Sequence, residues 1–254
     1  MTTPTDPTHL DAVANAGCTR VRLNTPDGRN ALGQDLAGQL LQALQRAEDT
    51  PGCRALVLSS RTAYFCAGLE LPTDGRPPPW LDTTRPGPLD VFARIARSPL
   101  VTIAVVEGPA IGGGVGLAAS CDLVIAGSGA SFRLTETMIG LTPKVITPYL
   151  VRRTGGQRAF ALALTGTETG PQEAHRIGLV DYLAPSPDTC VREVLAAVRR
   201  TDAQAVRALK ADYNNRQPPT PQAHEQAAGE LRQAFTHLQV HTRIAELRAV
   251  GVLP

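Results

Sequence analysis

The sequence predicts an α/β fold built on a mainly parallel sheet and followed by a helical C-terminal region. Three observations carry this expectation. Short apolar runs alternate with segments of helical periodicity between residues 10 and 127, the order expected of β-α-β units. Past residue 145 the pattern turns mostly helical. With 254 residues, the chain is long enough to bury a large core without disulfides.

Taken in order, Leu10 to Ala14 and Cys18 to Leu23 read as a hairpin turned by Asn15-Ala16-Gly17, with Val21 and Leu23 alternating against Arg20 and Arg22. Residues 33 to 48 set Leu36, Leu40, Leu44 and Ala47 on one helical face. RALVLSS then reads as a short buried strand. A second unit follows: a helix near 88 to 97, a strand at LVTIAVV, a glycine-interrupted helix near 112 to 120 and a strand at DLVIAG. Between the units, residues 71 to 89 are crowded with proline and glycine, too irregular for a regular element and suited to covering a site or to a surface excursion. Helices are expected over 146 to 164, 171 to 177, 187 to 199, 203 to 215 and 221 to 249, with GLVDYLA as a strand.

Composition narrows the functional classes. Hydrophobic residues make up 43% and charged residues 19%, and no apolar run approaches the roughly eighteen residues of a membrane span. The net charge of +2 gives no field that would draw the chain to nucleic acid non-specifically. The N-terminus MTTPTDPTHLD has neither a basic nor an apolar targeting region, so a cytoplasmic protein is expected. Cys18, Cys53, Cys66, Cys121 and Cys190 are scattered without metal spacing, which suits reduced thiols.

Several motifs fail. GPAIGGGVGLAAS lacks the glycine spacing of a dinucleotide fingerprint, because Leu117 stands where the third glycine belongs. There is no GxxxxGK[ST], GxSxG or HExxH. His237 and His241 stand four apart without an evident third ligand, and His9, His175 and His224 read as surface residues, so no metal is expected. AYFCAGLEL and EGPAIGGGVG each follow an expected strand end, where a glycine-bearing turn can aim free N–H groups into a cleft.

Five segments carry a more specific signal: NTPDGRNAL (24 to 32), FCAGLEL (65 to 71), GPAIGGGVGLAASCDLVIA (108 to 126), ASFRLTETMIGLTP (130 to 143) and EAHRIGLVDYL (173 to 183). In order and spacing they resemble the crotonase family of enoyl-CoA hydratases and isomerases. The resemblance implies a crotonase-like spiral of β-β-α turns over residues 1 to 190 and a C-terminal helical trimerisation region over 191 to 254. It also implies a homotrimer or a hexamer of paired trimers, and coenzyme A only as part of the substrate, with no separate cofactor. Two backbone N–H groups polarise the thioester carbonyl in this family. By position these belong to Leu69 and Gly113, with ligand contacts also expected from Ala67, Gly68, Leu71, Gly112 and Gly116. Arg29 is the cation best placed for the phosphates of coenzyme A. Arg76, Arg243 and Arg248 are further candidates, since Pro72 replaces a lysine common in the family.

Two departures matter. Hydratases of the family commonly use two glutamates, and only the one in Phe132-Arg133-Leu134-Thr135-Glu136 is present, because Gly116 stands at the other position. The segment TETMIGLTPKVITPYLVRR resembles the methylglutaconyl-CoA hydratase-like branch, where this single-glutamate pattern also occurs. Lys144 replaces a small residue eight positions beyond Glu136. It reads either as a ligand-facing ammonium for a substrate carboxylate or a decarboxylation, or as a lysine reaching solvent. Asp122 and Asp181 read as structural. Trp80, Leu81 and Phe92 read as acyl-pocket lining or as a loop anchor and core.

The leading expectation is hydration or dehydration of an α,β-unsaturated acyl-CoA, with Glu136 as acid and base. Double-bond isomerisation or decarboxylation in the same site is the alternative, and a non-catalytic binding module is the rival from another class. The donor is a thioester of coenzyme A or of a carrier protein; no nucleic acid or membrane partner is expected.

Overall fold

The computed structural model describes residues 9–15, 17–72, 78–81, 84–216 and 221–253. Strands β1 (Leu10–Asn15) and β2 (Cys18–Leu23) form the expected hairpin, antiparallel from Leu10 opposite Leu23 to Asn15 opposite Cys18. Helix α1 (Gln34–Asp49) buries Leu36, Ala37, Leu40, Ala43, Leu44 and Ala47, the stripe expected from its period. Strand β3 (Ala55–Ser60) pairs parallel with β2. The proline-rich connection contains a 3-10 turn at Pro79–Leu81 and leads into α2 (Pro88–Arg97).

Strand β4 (Val101–Val106) is buried at all six positions, as an unbroken apolar run in a covered parallel sheet requires. The short β5 (Pro109–Ile111) then leads into α3 (Gly113–Ser120), and β6 (Leu123–Ala126) returns to the main sheet. Strand β7 (Ser131–Arg133) pairs with β5 in a separate two-stranded parallel sheet, and a 3-10 turn at Glu136–Ile139 follows. Next come α4 (Thr147–Thr154), α5 (Gly156–Thr165), α6 (Pro171–Arg176), β8 (Tyr182–Leu183), α7 (Pro187–Arg200), α8 (Ala203–Arg216), α9 (Pro221–Ala234) and α10 (Leu238–Ala249). The main sheet runs β1-β2-β3-β4-β6-β8, parallel throughout except for the β1–β2 hairpin.

Three expected elements come out differently. The helix over 146 to 164 is two helices, because Gly155 takes φ of +76° between α4 and α5. The long helix over 221 to 249 is also two, separated by residues 235 to 237. The strand at GLVDYLA shrinks to Tyr182–Leu183, since the preceding Leu179 and Val180 are buried in the turn leaving α6.

The main core gathers α1, α2 and α3 against the sheet and also takes in Ala228, Phe235, Val240, Ile244 and Leu253. A second cluster packs α7 on the opposite face through Val191, Val194 and Leu195. Helix α7 runs through residue 190, and α9 and α10 share the main core, so packing is continuous across that position. Helix α8 buries none of its residues, but it is tied down at Lys210, whose ammonium donates to Leu100 O and pairs with Asp122.

Candidate active site

A cleft opens between the segment after β3, the N-terminus of α3, the Glu136–Ile139 turn and the C-terminal helices. Its geometry starts from glycine. Gly68 adopts φ of +94°, and a Cβ there would stand 2.7 Å from Ile111 O. Only glycine allows this turn at such close backbone approach. The segment then runs beside Leu32, where Leu32 N donates to Gly68 O and Glu70 N donates to Leu32 O. That pairing leaves the intervening Leu69 N–H pointing the other way, and among the described residues it meets no acceptor.

Gly113 is the first residue of α3, so its N–H has no partner within the helix, and no other acceptor among the described residues takes it. A Cβ on Gly113 would lie 3.2 Å from Leu69 N, which sets the two free donors side by side. The partial positive charge of the α3 N-terminus adds to them. Two converging backbone donors at a helix start can hold a developing oxyanion without side-chain reorganisation.

The Glu136 carboxyl stands over Gly112, where a Cβ would come 3.1 Å from Oε1. Its Oε2 is shielded from solvent and has no hydrogen-bond partner among the described residues. Burial pushes its pKa up to about 7, only partly opposed by the backbone amides of Glu136 and Thr135. A carboxyl poised there exchanges protons readily near neutral pH.

At the other end, Arg29 and Arg248 line the cleft near enough for their charges to repel. Arg248 donates to Pro72 O at 2.8 Å and Leu71 O at 3.2 Å, bracing the segment that carries Leu69. Arg29 is held by a turn locked at Asn30, which is fully buried with φ of +53°. The Asn30 amide donates to Ser60 Oγ, Thr62 Oγ1 and Tyr64 O, while its Oδ1 accepts from Thr25 N.

Ala67, Gly68, Leu69, Leu71, Gly112, Gly113, Glu136, Arg29 and Phe92 therefore come together in one cleft. Two other candidates do not. Lys144 pairs with Glu230 of α9 at the surface while its neighbours Pro143 and Val145 line the cleft, which corrects the ligand-facing reading. Gly116 is buried behind the wall: a Cβ there would overlap Ile146 Cγ2 at 2.3 Å and meet Phe92 Cε1 at 3.4 Å. The place of a second glutamate is thus filled by Ile146, and Gly116 serves packing rather than ligand contact.

Arg76 lies outside the described residues. Arg243 pairs with Glu246 on the exposed side of α10. Trp80 anchors its loop by donating to Glu70 O and packing edge-on against Phe235, while Leu81 stays out of the cleft. Asp122 accepts from Thr102, and Asp181 accepts from Val124 N and pairs with Arg153, both structural. His224 is buried on α9 rather than at the surface. No group of three metal-binding side chains occurs among the described residues, and no helix among them is long and apolar enough to cross a membrane.

Leu231, Phe235 and Leu253 line the cleft from the C-terminal end of the chain and carried no motif that would have marked them. Their signal was the apolar spacing of the last helices alone.

The model of the enoyl-CoA hydratase/isomerase family matches residues 13–247. The chain belongs to this family. A Thermus thermophilus protein named for enoyl-CoA hydratase is 36% identical over 75% of the chain and 76% of its own length. Enoyl-CoA hydratase ACTT6 of Alternaria alternata is 33% identical over 77% of the chain, which spans 66% of that longer protein. Bacillaene synthase dehydratase PksH of Bacillus subtilis is 30% identical over 73% of each. Among solved structures, an enoyl-CoA hydratase from Mycobacterium avium superposes with a TM-score of 0.82 at 28% identity, covering 96% of this chain and 97% of the other. The fold is the crotonase-like α/β spiral with C-terminal helices, as the family resemblance implied.

Proposed function

We propose that this member of the family hydrates, or in reverse dehydrates, an α,β-unsaturated thioester with Glu136 as its only acid/base. One observation carries the reading: a buried carboxyl whose Oε2 has no hydrogen-bond partner among the described residues stands beside two backbone N–H donors that meet no acceptor there. In the dehydration direction Glu136 takes the α-proton of a 3-hydroxyacyl thioester. The electron pair moves onto the carbonyl oxygen, between Leu69 N–H and Gly113 N–H. The enolate then collapses as the β C–O bond breaks, and Glu136 returns its proton to the departing hydroxyl to give water. The cycle closes with the carboxylate restored, and it balances with no metal and no redox cofactor. Loss of either oxyanion donor would cost about 2.7 to 4 kcal/mol of barrier.

A second reading, double-bond isomerisation, draws on the filled position at Gly116. With no carboxylate at position 116, Glu136 would take a proton from one carbon and return it to another. Arg29 and Arg248 at the cleft mouth favour coenzyme A, with its phosphates, as the donor over a carrier protein. A trimer or paired trimers would cover the exposed apolar side chains Phe160 and Leu164 of α5 and Leu209 and Tyr213 of α8. Light scattering after gel filtration reads that assembly.

The deciding experiment is mass spectrometry in D2O of enoyl-CoA and 3-hydroxyacyl-CoA thioesters, with wild type beside Glu136→Gln. Gain of D2O with one deuterium fixed at carbon, lost in the variant, supports the hydratase. Isomerisation without net hydration supports the shuttle. No exchange into any thioester would remove the acid/base role.

A further inference from the structure

The charges lining the cleft are distributed unevenly. Apart from Glu136 they sit on the turn with Asp27 and Arg29, on Glu70 beside the oxyanion segment, and on Arg248 of α10. The side beyond Glu136 is formed by Leu89, Phe92, Ile139, Val145 and Ile146 and carries no charge. Gly116 follows Gly113 by three residues on α3, about 4.5 Å along the helix axis and on nearly the same face. Its bare α-carbon admits the Ile146 side chain, with Phe92 close beside it. Ile146 therefore stands one helical turn along α3 from the oxyanion donor, among the uncharged lining residues of the cleft.

We infer that Ile146, seated against Gly116, is the specificity-determining residue of the acyl end and confines the site to short, uncharged acyl groups. The inference rests on the thioester reading above and names its substrate class. A longer chain meets the Ile146 side chain. A terminal carboxylate would be buried against the apolar side chains of Ile146 and Phe92, neither of which can hydrogen-bond to it, at a desolvation cost. Ile146→Ala removes three carbons and extends the space toward α3. Gly116→Ala acts oppositely, since its methyl group drives Ile146 further into the cleft.

The test is equilibrium binding of saturated acyl-CoA esters, four to ten carbons long, together with glutaryl-CoA. None of these needs turnover. Wild type is expected to bind the short esters best and glutaryl-CoA at least tenfold more weakly than the uncharged five-carbon ester. Ile146→Ala should gain tenfold or more for the eight-carbon ester while staying within threefold for the four-carbon ester, because one methylene in a tight pocket is worth roughly ten- to two-hundredfold. Ile146→Val should shift the profile in the same direction by less, and serves if the alanine variant folds poorly. Length profiles that coincide in wild type and both variants would overturn the role of Ile146 while leaving the thioester site standing. Failure of wild type to bind any ester would overturn the thioester reading and this inference with it.

Discussion

Glu136 provides a perturbation with two independent readouts. Burial lifts its pKa from 4.5 to about 7, which corresponds to a cost of about 3 kcal/mol for ionising it in the folded chain. Below pH 4.5 both folded and unfolded chains hold the proton and the cost is absent. Between pH 4.5 and 7 the unfolded chain releases its proton while the folded one keeps it, so stability falls as pH rises. Above 7 the fold bears the full cost. Glu136→Gln cannot ionise, so its stability relative to wild type should climb by about 3 kcal/mol between pH 4.5 and pH 8 in urea denaturation. Catalysis runs the other way. The base form is needed, so wild-type kcat/KM should rise about tenfold per pH unit up to pH 7 and then level, while the glutamine variant stays inactive throughout. A flat kcat/KM between pH 5.5 and 8.5, or a stability difference independent of pH, would show that Glu136 ionises as an ordinary carboxylate and refute the account of a desolvated base.

Three further expectations follow from single contacts. Gly113→Ala should lower kcat by about 10²- to 10³-fold with little change in Tm, because its Cβ would crowd Leu69 N at 3.2 Å while alanine suits the helix; activity near wild type would remove Leu69 N–H from the mechanism. Asn30→Ala should cost about 2 to 3 kcal/mol in urea denaturation, since it leaves Thr25 N without its acceptor and removes the buried amide that ties the turn to Ser60, Thr62 and Tyr64. Lys144→Ala should leave kcat and KM for every accepted thioester unchanged, given its surface pairing with Glu230; a shifted KM for a carboxylated substrate would reverse that.

What could be read from the sequence divides along physical lines. The α1 stripe and the buried run of β4 were legible because each element's own period records which face is covered. The candidates Leu69 and Gly113 come only from the order and spacing of family segments, since backbone donors leave no side-chain signature, and the candidate Glu136 comes from its place in Phe132-Arg133-Leu134-Thr135-Glu136. Strands β5 and β7 span three residues each, too few for any alternation to show. The direction of Lys144 depends on Glu230, eighty-six residues on, and the fit of Ile146 against Gly116 depends on how α4 begins over α3. Both are tertiary facts that no local pattern encodes. The break at Gly155 was visible as a glycine, but its positive φ was not.

The cleft is walled partly by residues near the far end of the chain. Leu231, Phe235, Arg248 and Leu253 close it, and α10 packs against the turn that carries Glu136. A ligand in the cleft would therefore touch α9 and α10 as well as the sheet-bound segments, so its binding would favour the docked position of both helices. A thioester at a hundred times its Kd would add about 2.7 kcal/mol to the folded state, so the substrate would steady the fold that it also uses.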